Sequence, residues 1–306
     1  MSHSPAPTFT PPSPTSGRGR DRRVLAYVGR HGAVSIEHLM VALGLGQAAA
    51  YRRAAALIDA GLLERLDLLR GEPSILRATR AGLRYAGLGM APAVISPGSV
   101  DHWLRCASVA LELEALHGAH RILTARELIF AERHEERPIA SAKIGELPNG
   151  HPRLHRPDLV ILPEDHPLVR HQMPRISGGS EDFRASGPSL AANVRTREGG
   201  GEEACTEDLR PSPAAHARTR EQAREISGDH GRAPAGAEDM GVAAIEVELT
   251  PKSPKRLREI VRGWRRASRV EEVRYLCEPG QTHRAVKRAV EKLHAADRIQ
   301  VRELSR

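Results

Sequence analysis

Cysteine is scarce in this 306-residue chain. Cys106, Cys205 and Cys277 are far apart, odd in number and never arranged as Cys-x-x-Cys, which excludes a disulfide framework and a zinc knuckle. A reducing cytoplasm fits that usage. No apolar run approaches the roughly 20 residues that span a bilayer, and Met1 to Arg20 lacks the apolar core of a secretion signal. The expected location is therefore cytoplasmic, with no membrane partner. A phosphate-binding loop is missing as well, because Gly199-Gly200-Gly201 runs into Glu202 rather than Gly-Lys-Ser/Thr, and this excludes ATPase or helicase chemistry. There is no internal repeat and no paired-histidine strand of the kind that holds metal in a tyrosine relaxase. His151, His155, His166 and His171 are separated by Pro152, Pro157 and Pro167, which interrupt any helix that could align them. They read as solvated loop residues, and no zinc site is expected from them.

Basic charge is present in excess. Lys and Arg outnumber Asp and Glu by 46 to 38, for a formal net charge of +8, and the balance favours a polyanionic partner. The length suits two modest domains. Residues 1–20, rich in Pro, Ser and Thr and ending in Gly17-Arg18-Gly19-Arg20, read as a disordered basic tail. A low-complexity stretch at about 171–240 shows neither hydrophobic period and reads as a disordered insertion. Two structured blocks are left, 21–90 and the interrupted 98–306.

The first block opens with a helix carrying Val24, Leu25 and Val28 on one face and ending at His31-Gly32. Ser35 caps a second helix with Ile36, Leu39, Met40 and Leu43 inward, and Gly44-Leu45-Gly46 makes a short turn. In a third helix from Gln47, the residues Ala50, Ala54, Leu57 and Ile58 form the packing stripe, so Gln47, Ala48, Tyr51 and Arg52 point away. Strand, tight turn and strand follow over residues 62–78 with Arg70 at the tip, then a helix capped by Thr79. This order is that of a winged helix-turn-helix. A third helix of that kind enters the major groove, where Gln47 reads adenine and Tyr51, Arg52 and Arg53 meet base edges or phosphates, while Arg70 touches a neighbouring phosphate. The expected partner is double-stranded DNA, with no cofactor required for binding.

The second block begins with an apolar helix over 100–117 that bridges the two domains, followed by a helix near 124–130 carrying Glu127. Arg156 to Leu162 and Val242 to Leu249 read as strands. Side chains alternate along a strand, so Glu246 and Glu248 share the face opposite Ile245, Val247 and Leu249. If the two strands pair, Asp158 joins the glutamates. Three converging carboxylates repel one another unless a hard cation such as Mg or Mn, or a basic side chain, neutralises them.

With the helix 255–269, strand 270–277, helix 282–294 and strand 299–304 that follow, this arrangement resembles the PD-(D/E)xK nuclease-like core. The expected fold class is therefore α+β/α/β, a winged helix-turn-helix followed by a restriction-endonuclease-like mixed sheet with flanking helices. By that resemblance Pro157-Asp158 matches the first acidic position and Glu246 the second. Glu248 stands where most members carry lysine, with Lys252 and Lys255 as its candidate substitutes. The whole pattern, including Arg-Pro-Asp-Leu-Val-Ile at 156–161 and Ile-Glu-Val-Glu-Leu-Thr-Pro-Lys-Ser at 245–253, is similar to the replication-relaxation family of actinobacterial plasmids and integrative elements. The resemblance implies a plasmid replication or DNA-relaxation factor, nucleoid- or plasmid-associated, working as a homodimer or with replication or mobilisation proteins. Two other readings stay open: a metal-dependent endonuclease guided by the winged helix, using Asp158, Glu246, Glu248 and Lys252, and a transcriptional regulator whose second domain only dimerises.

Overall fold

A computed structural model describes residues 17–68, 74–170 and 241–304. Helix α1 (Gly17–His31) is anchored by Val24, Leu25, Tyr27 and Val28, all buried. It therefore begins inside the stretch expected to be a disordered tail. An anchored helix propagates outward at little cost once nucleated, which carries it back through Gly17 to Arg20. Helix α2 (Ile36–Leu43) starts at Ser35, whose hydroxyl accepts from the His38 amide while the His38 side chain faces the Ser35 amide. It stops at Gly44, whose φ of +62° suits glycine.

Helix α3 (Gln47–Asp59) follows, then β1 (Leu63–Leu66) and β2 (Ile75–Ala78), paired antiparallel from Leu63 opposite Ala78 to Leu66 opposite Ile75. Val34 adds a bridge to Leu76. Arg70 lies outside the described residues. Helix α4 (Arg80–Ala86), capped by Thr79, closes a core of Val24, Leu25, Leu39, Leu57, Leu63, Leu76 and Leu83.

Helix α5 (Val100–His117) has the bounds read from its apolar pattern. Ala107 joins the N-terminal core, whereas Val109, Ala110 and Leu113 pack on the sheet. One helix thus serves two cores. The sheet is mixed and five-stranded, in the order β3 (Ile122–Thr124), β6 (Leu159–Ile161), β7 (Ala243–Glu248), β8 (Glu272–Cys277) and β9 (Ile299–Glu303). Pairing is antiparallel across β3, β6 and β7 and parallel across β7, β8 and β9. The parallel steps need crossover helices, supplied by α8 (Pro254–Arg266) and α9 (Gln281–Lys292).

Helix α6 (Ala125–His134) follows β3 through a capping box of Thr124 and Glu127. A separate hairpin, β4 (Ala142–Glu146) with β5 (Pro152–His155), packs on α8, and a short α7 spans Pro167–Arg170. Neither β3 nor this hairpin was expected. β3 is three residues long, and the apolar alternation of the hairpin is limited to Ala142 and Ile144 before Glu146 breaks it. The stretch 171–240, expected as an insertion, lies outside the described residues. Among the described residues no helix is long and apolar enough to cross a membrane.

Candidate functional site

The stripe Ala50, Ala54 and Leu57 buries one side of α3. Gln47, Ala48, Tyr51 and Arg52 are exposed on the other, Tyr51 at 54%. Arg53, expected to meet base edges or phosphates, is half-buried, and its guanidinium donates to Asp21 Oδ1 of α1 at 2.8 Å. Its charge is partly spent within the protein.

The carboxylates gather where β6 meets β7. The register pairs Leu159 with Ile245, so Asp158 falls opposite Glu246, one rung further on. The Asp158 amide donates to Ile245 O at 3.0 Å, and Asp158 Oδ2 accepts from the Val247 amide at 2.8 Å. These two bonds fix the carboxyl and leave Oδ1 free to meet His102 Nε2 at 3.0 Å. Glu246 and Glu248 are 2% and 5% exposed, a burial that needs partners. Glu246 Oε1 lies 2.6 Å from His155 Nε2, and Lys252 forms an ion pair with Glu248. Lys255 is exposed at the start of α8.

Each shift in acidity has a cause in this geometry. Burial raises the Glu248 carboxyl and Lys252 opposes it, with Glu246 and Asp158 adding to the rise. The His102 imidazole is raised by its hydrogen bond to Asp158 against the pull of burial. For His155, burial pushes downward, but the charge and hydrogen bond of Glu246 outweigh it and the net shift is upward. Burial, reinforced by Asp158, Glu246 and Glu248, holds the Cys106 thiol well above its ordinary range. All three carboxylates therefore share one electrostatic neighbourhood. Among the described residues, however, the ligand atoms that converge within 4.8 Å belong to His102, Cys106 and Asp158, not to the carboxylate trio.

Three of these residues escaped the sequence reading. His155 is not a solvated loop residue, because β5 places it against Trp264, ring centroids 5.7 Å apart, and onto Glu246. The prolines that break a helix are compatible with a short strand such as β5, which begins at Pro152. His151 is exposed, as expected of a loop, and His166 bonds locally to the Leu168 amide. His171 lies outside the described residues. His102 and Cys106 carried a signal, their spacing of four on a helix, but only the fold brings Asp158 to them.

A cavity of about 200 Å³ opens beside His102, Cys106 and Asp158 and reaches Arg30, His31 and Trp103. Arg30 lines it from α1. The guanidinium donates to Glu127 Oε1 at 2.8 Å and Ile122 O at 2.9 Å and sits 3.1 Å from Glu114 Oε1. Thr124 and Arg126 in turn donate to the carbonyls of Arg30 and Gly29. Comparison of the chain with family models, with curated proteins and with solved structures finds no match in any of the three.

Proposed function

We propose that the chain binds double-stranded DNA through a winged helix-turn-helix formed by residues 21–90, and acts as a plasmid or mobile-element replication or relaxation factor. The observation that supports this most is the division of α3 after the turn at Gly44 to Gly46. Its apolar stripe is buried, and Gln47, Tyr51 and Arg52 stand exposed among the described residues. The alanines between them allow close approach to a groove. The role in replication rests on the resemblance to the replication-relaxation family.

Binding to duplex DNA is expected to weaken with salt, with a log–log slope of about −0.9 per phosphate contact. Arg52→Ala with Arg53→Ala is expected to lower affinity about tenfold or more, within the roughly 1 to 3 kcal/mol of a groove contact. Because Arg53 is tied to Asp21, most of that loss should follow Arg52 alone. Affinity unchanged in the double variant removes α3 from the role. A genome-wide map of bound sites that falls on promoters rather than a plasmid origin favours a transcriptional regulator.

An endonuclease is the second reading, supported by the hairpin that aligns Pro157-Asp158 with Glu246-Val247-Glu248 ahead of a crossover helix and a parallel strand. The oxygen-rich donor set suits a hard cation. In this reading Asp158, Glu246 and Glu248 would hold Mg or Mn, and Lys252, now paired with Glu248, would assist the hydrolysis; such an ion would supply water activation and charge neutralisation. His155 and Lys252 already balance the two glutamates, so a cation must displace them. Nicking of supercoiled DNA is accordingly expected to be weak or absent. Efficient Mn-dependent nicking abolished by Glu246→Gln with Glu248→Gln makes the endonuclease the leading reading.

A further inference from the structure

We propose that His102, Cys106 and Asp158 form a binding site for a zinc-class transition-metal ion, with its fourth position open to the adjoining cavity. The site is separate from the carboxylate pair Glu246 and Glu248, and the inference does not depend on the DNA-binding reading.

His102 and Cys106 lie four residues apart on α5, so one helical face presents both. Their ligand atoms are 3.6 Å apart, and His102 Nε2 is 3.0 Å from Asp158 Oδ1. Donors held at bonds of about 2.0 to 2.3 Å around a tetrahedral ion stand about 3.3 to 3.7 Å from one another. These two edges are within a few tenths of an ångström of those values, and the three ligand atoms all lie within 4.8 Å of one another. Asp158 is also oriented in advance, since the Val247 amide holds Oδ2 and leaves Oδ1 toward the two helix ligands.

The donor set decides the class of ion. One imidazole, one thiol and one carboxylate oxygen suit zinc or cobalt rather than magnesium, which takes oxygen ligands. Cys106 coordinates as thiolate, its proton passing to solvent. Three protein ligands leave a fourth tetrahedral position, and the cavity of about 200 Å³ against His102, Cys106 and Asp158 has room for water or a small ligand there. A bound ion ties α5 to the start of β6. It joins the helix on which the N-terminal core rests to the strand beside the glutamates.

The test is a cobalt(II) titration of the reduced full-length protein. One equivalent is expected to produce a thiolate-to-cobalt charge-transfer band together with the strong visible bands of four-coordinate cobalt. Cys205→Ser and Cys277→Ala should retain the band, and Cys106→Ser should lose it with the far-ultraviolet spectrum unchanged. His102→Asn, at a partly exposed position, should weaken cobalt binding about tenfold or more. In the unaltered protein, zinc should slow alkylation of Cys106, followed by mass spectrometry. Absence of the charge-transfer band, its persistence in Cys106→Ser, or an alkylation rate indifferent to zinc overturns the proposal and leaves His102 and Asp158 as an ion pair.

Discussion

Arg30 shows at the scale of one residue how the N-terminal core is held to the sheet. Its three contacts run to α5, α6 and the Ile122 carbonyl. Burial alone lowers its affinity for a proton, but Glu127 and Glu114 outweigh that and keep it firmly charged. Arg30→Met removes the guanidinium from a buried Glu127 and a half-buried Glu114, and the expected loss of stability is about 3 to 5 kcal/mol in denaturant unfolding. A loss below about 1 kcal/mol contradicts this account. The neighbouring His31 behaves in the opposite way, because burial, aided by the charge of Arg30, pushes its imidazole from 6.5 down to about 3. Between those values the unfolded chain takes up a proton that the folded protein refuses. Stability from His31 is therefore complete above about pH 6.5 and falls on acidification through the window, by about 1.4 kcal/mol per pH unit. Glu112, raised by burial to about 7, works against this trend. Comparison of the parent with His31→Gln isolates the histidine, and identical slopes of stability against pH in the two proteins refute the assignment.

Among the elements, the contact of α8 with the β4–β5 hairpin depends on a glycine. A Cβ at Gly263 meets Ile144 Cγ2 at 2.7 Å and the Lys143 carbonyl oxygen at 3.1 Å. Helix propensity favours alanine over glycine by about 1 kcal/mol, whereas overpacking costs about 1 to 3 kcal/mol. Gly263→Ala is therefore expected to lower the melting temperature. A higher one shows that the hairpin yields easily. The apolar stripes of α1, α3 and α5 made these helices legible in the sequence, and Ser35 and Gly44 marked the two ends of α2 and Thr79 the start of α4. The β4–β5 hairpin was not legible, since the alternation of Ala142 and Ile144 is too short to mark a strand and its place is set by packing against α8.

For the whole molecule, the sharing of α5 between two cores sets the cooperativity. Trp103 of α5 packs on Gly32 just after α1, His38 Nε2 of α2 lies 3.2 Å from Leu104 O, and Arg126 reaches back to Gly29 and Ala91. Residues 21–90 are therefore expected to melt together with the sheet, in a single calorimetric transition whose enthalpy matches the van't Hoff value. Two resolved transitions would show that the seam is weaker than either core.

The sequence by itself determined the apolar faces of α1, α2, α3 and α5, that the strand 243–248 alternates glutamates with apolar residues, and that α3 has one polar face. Each follows from a local period of apolar residues, which short-range geometry converts directly into a face. The tertiary structure alone decided the partners of those residues. Arg53 turned to Asp21, His155 came to Glu246, and the pairing of β6 with β7 carried Asp158 to His102 and Cys106, 56 and 52 residues away in the chain. Contacts between residues so far apart leave no periodic trace, because they arise from strand register and helix docking, which the packing of the whole core settles at once.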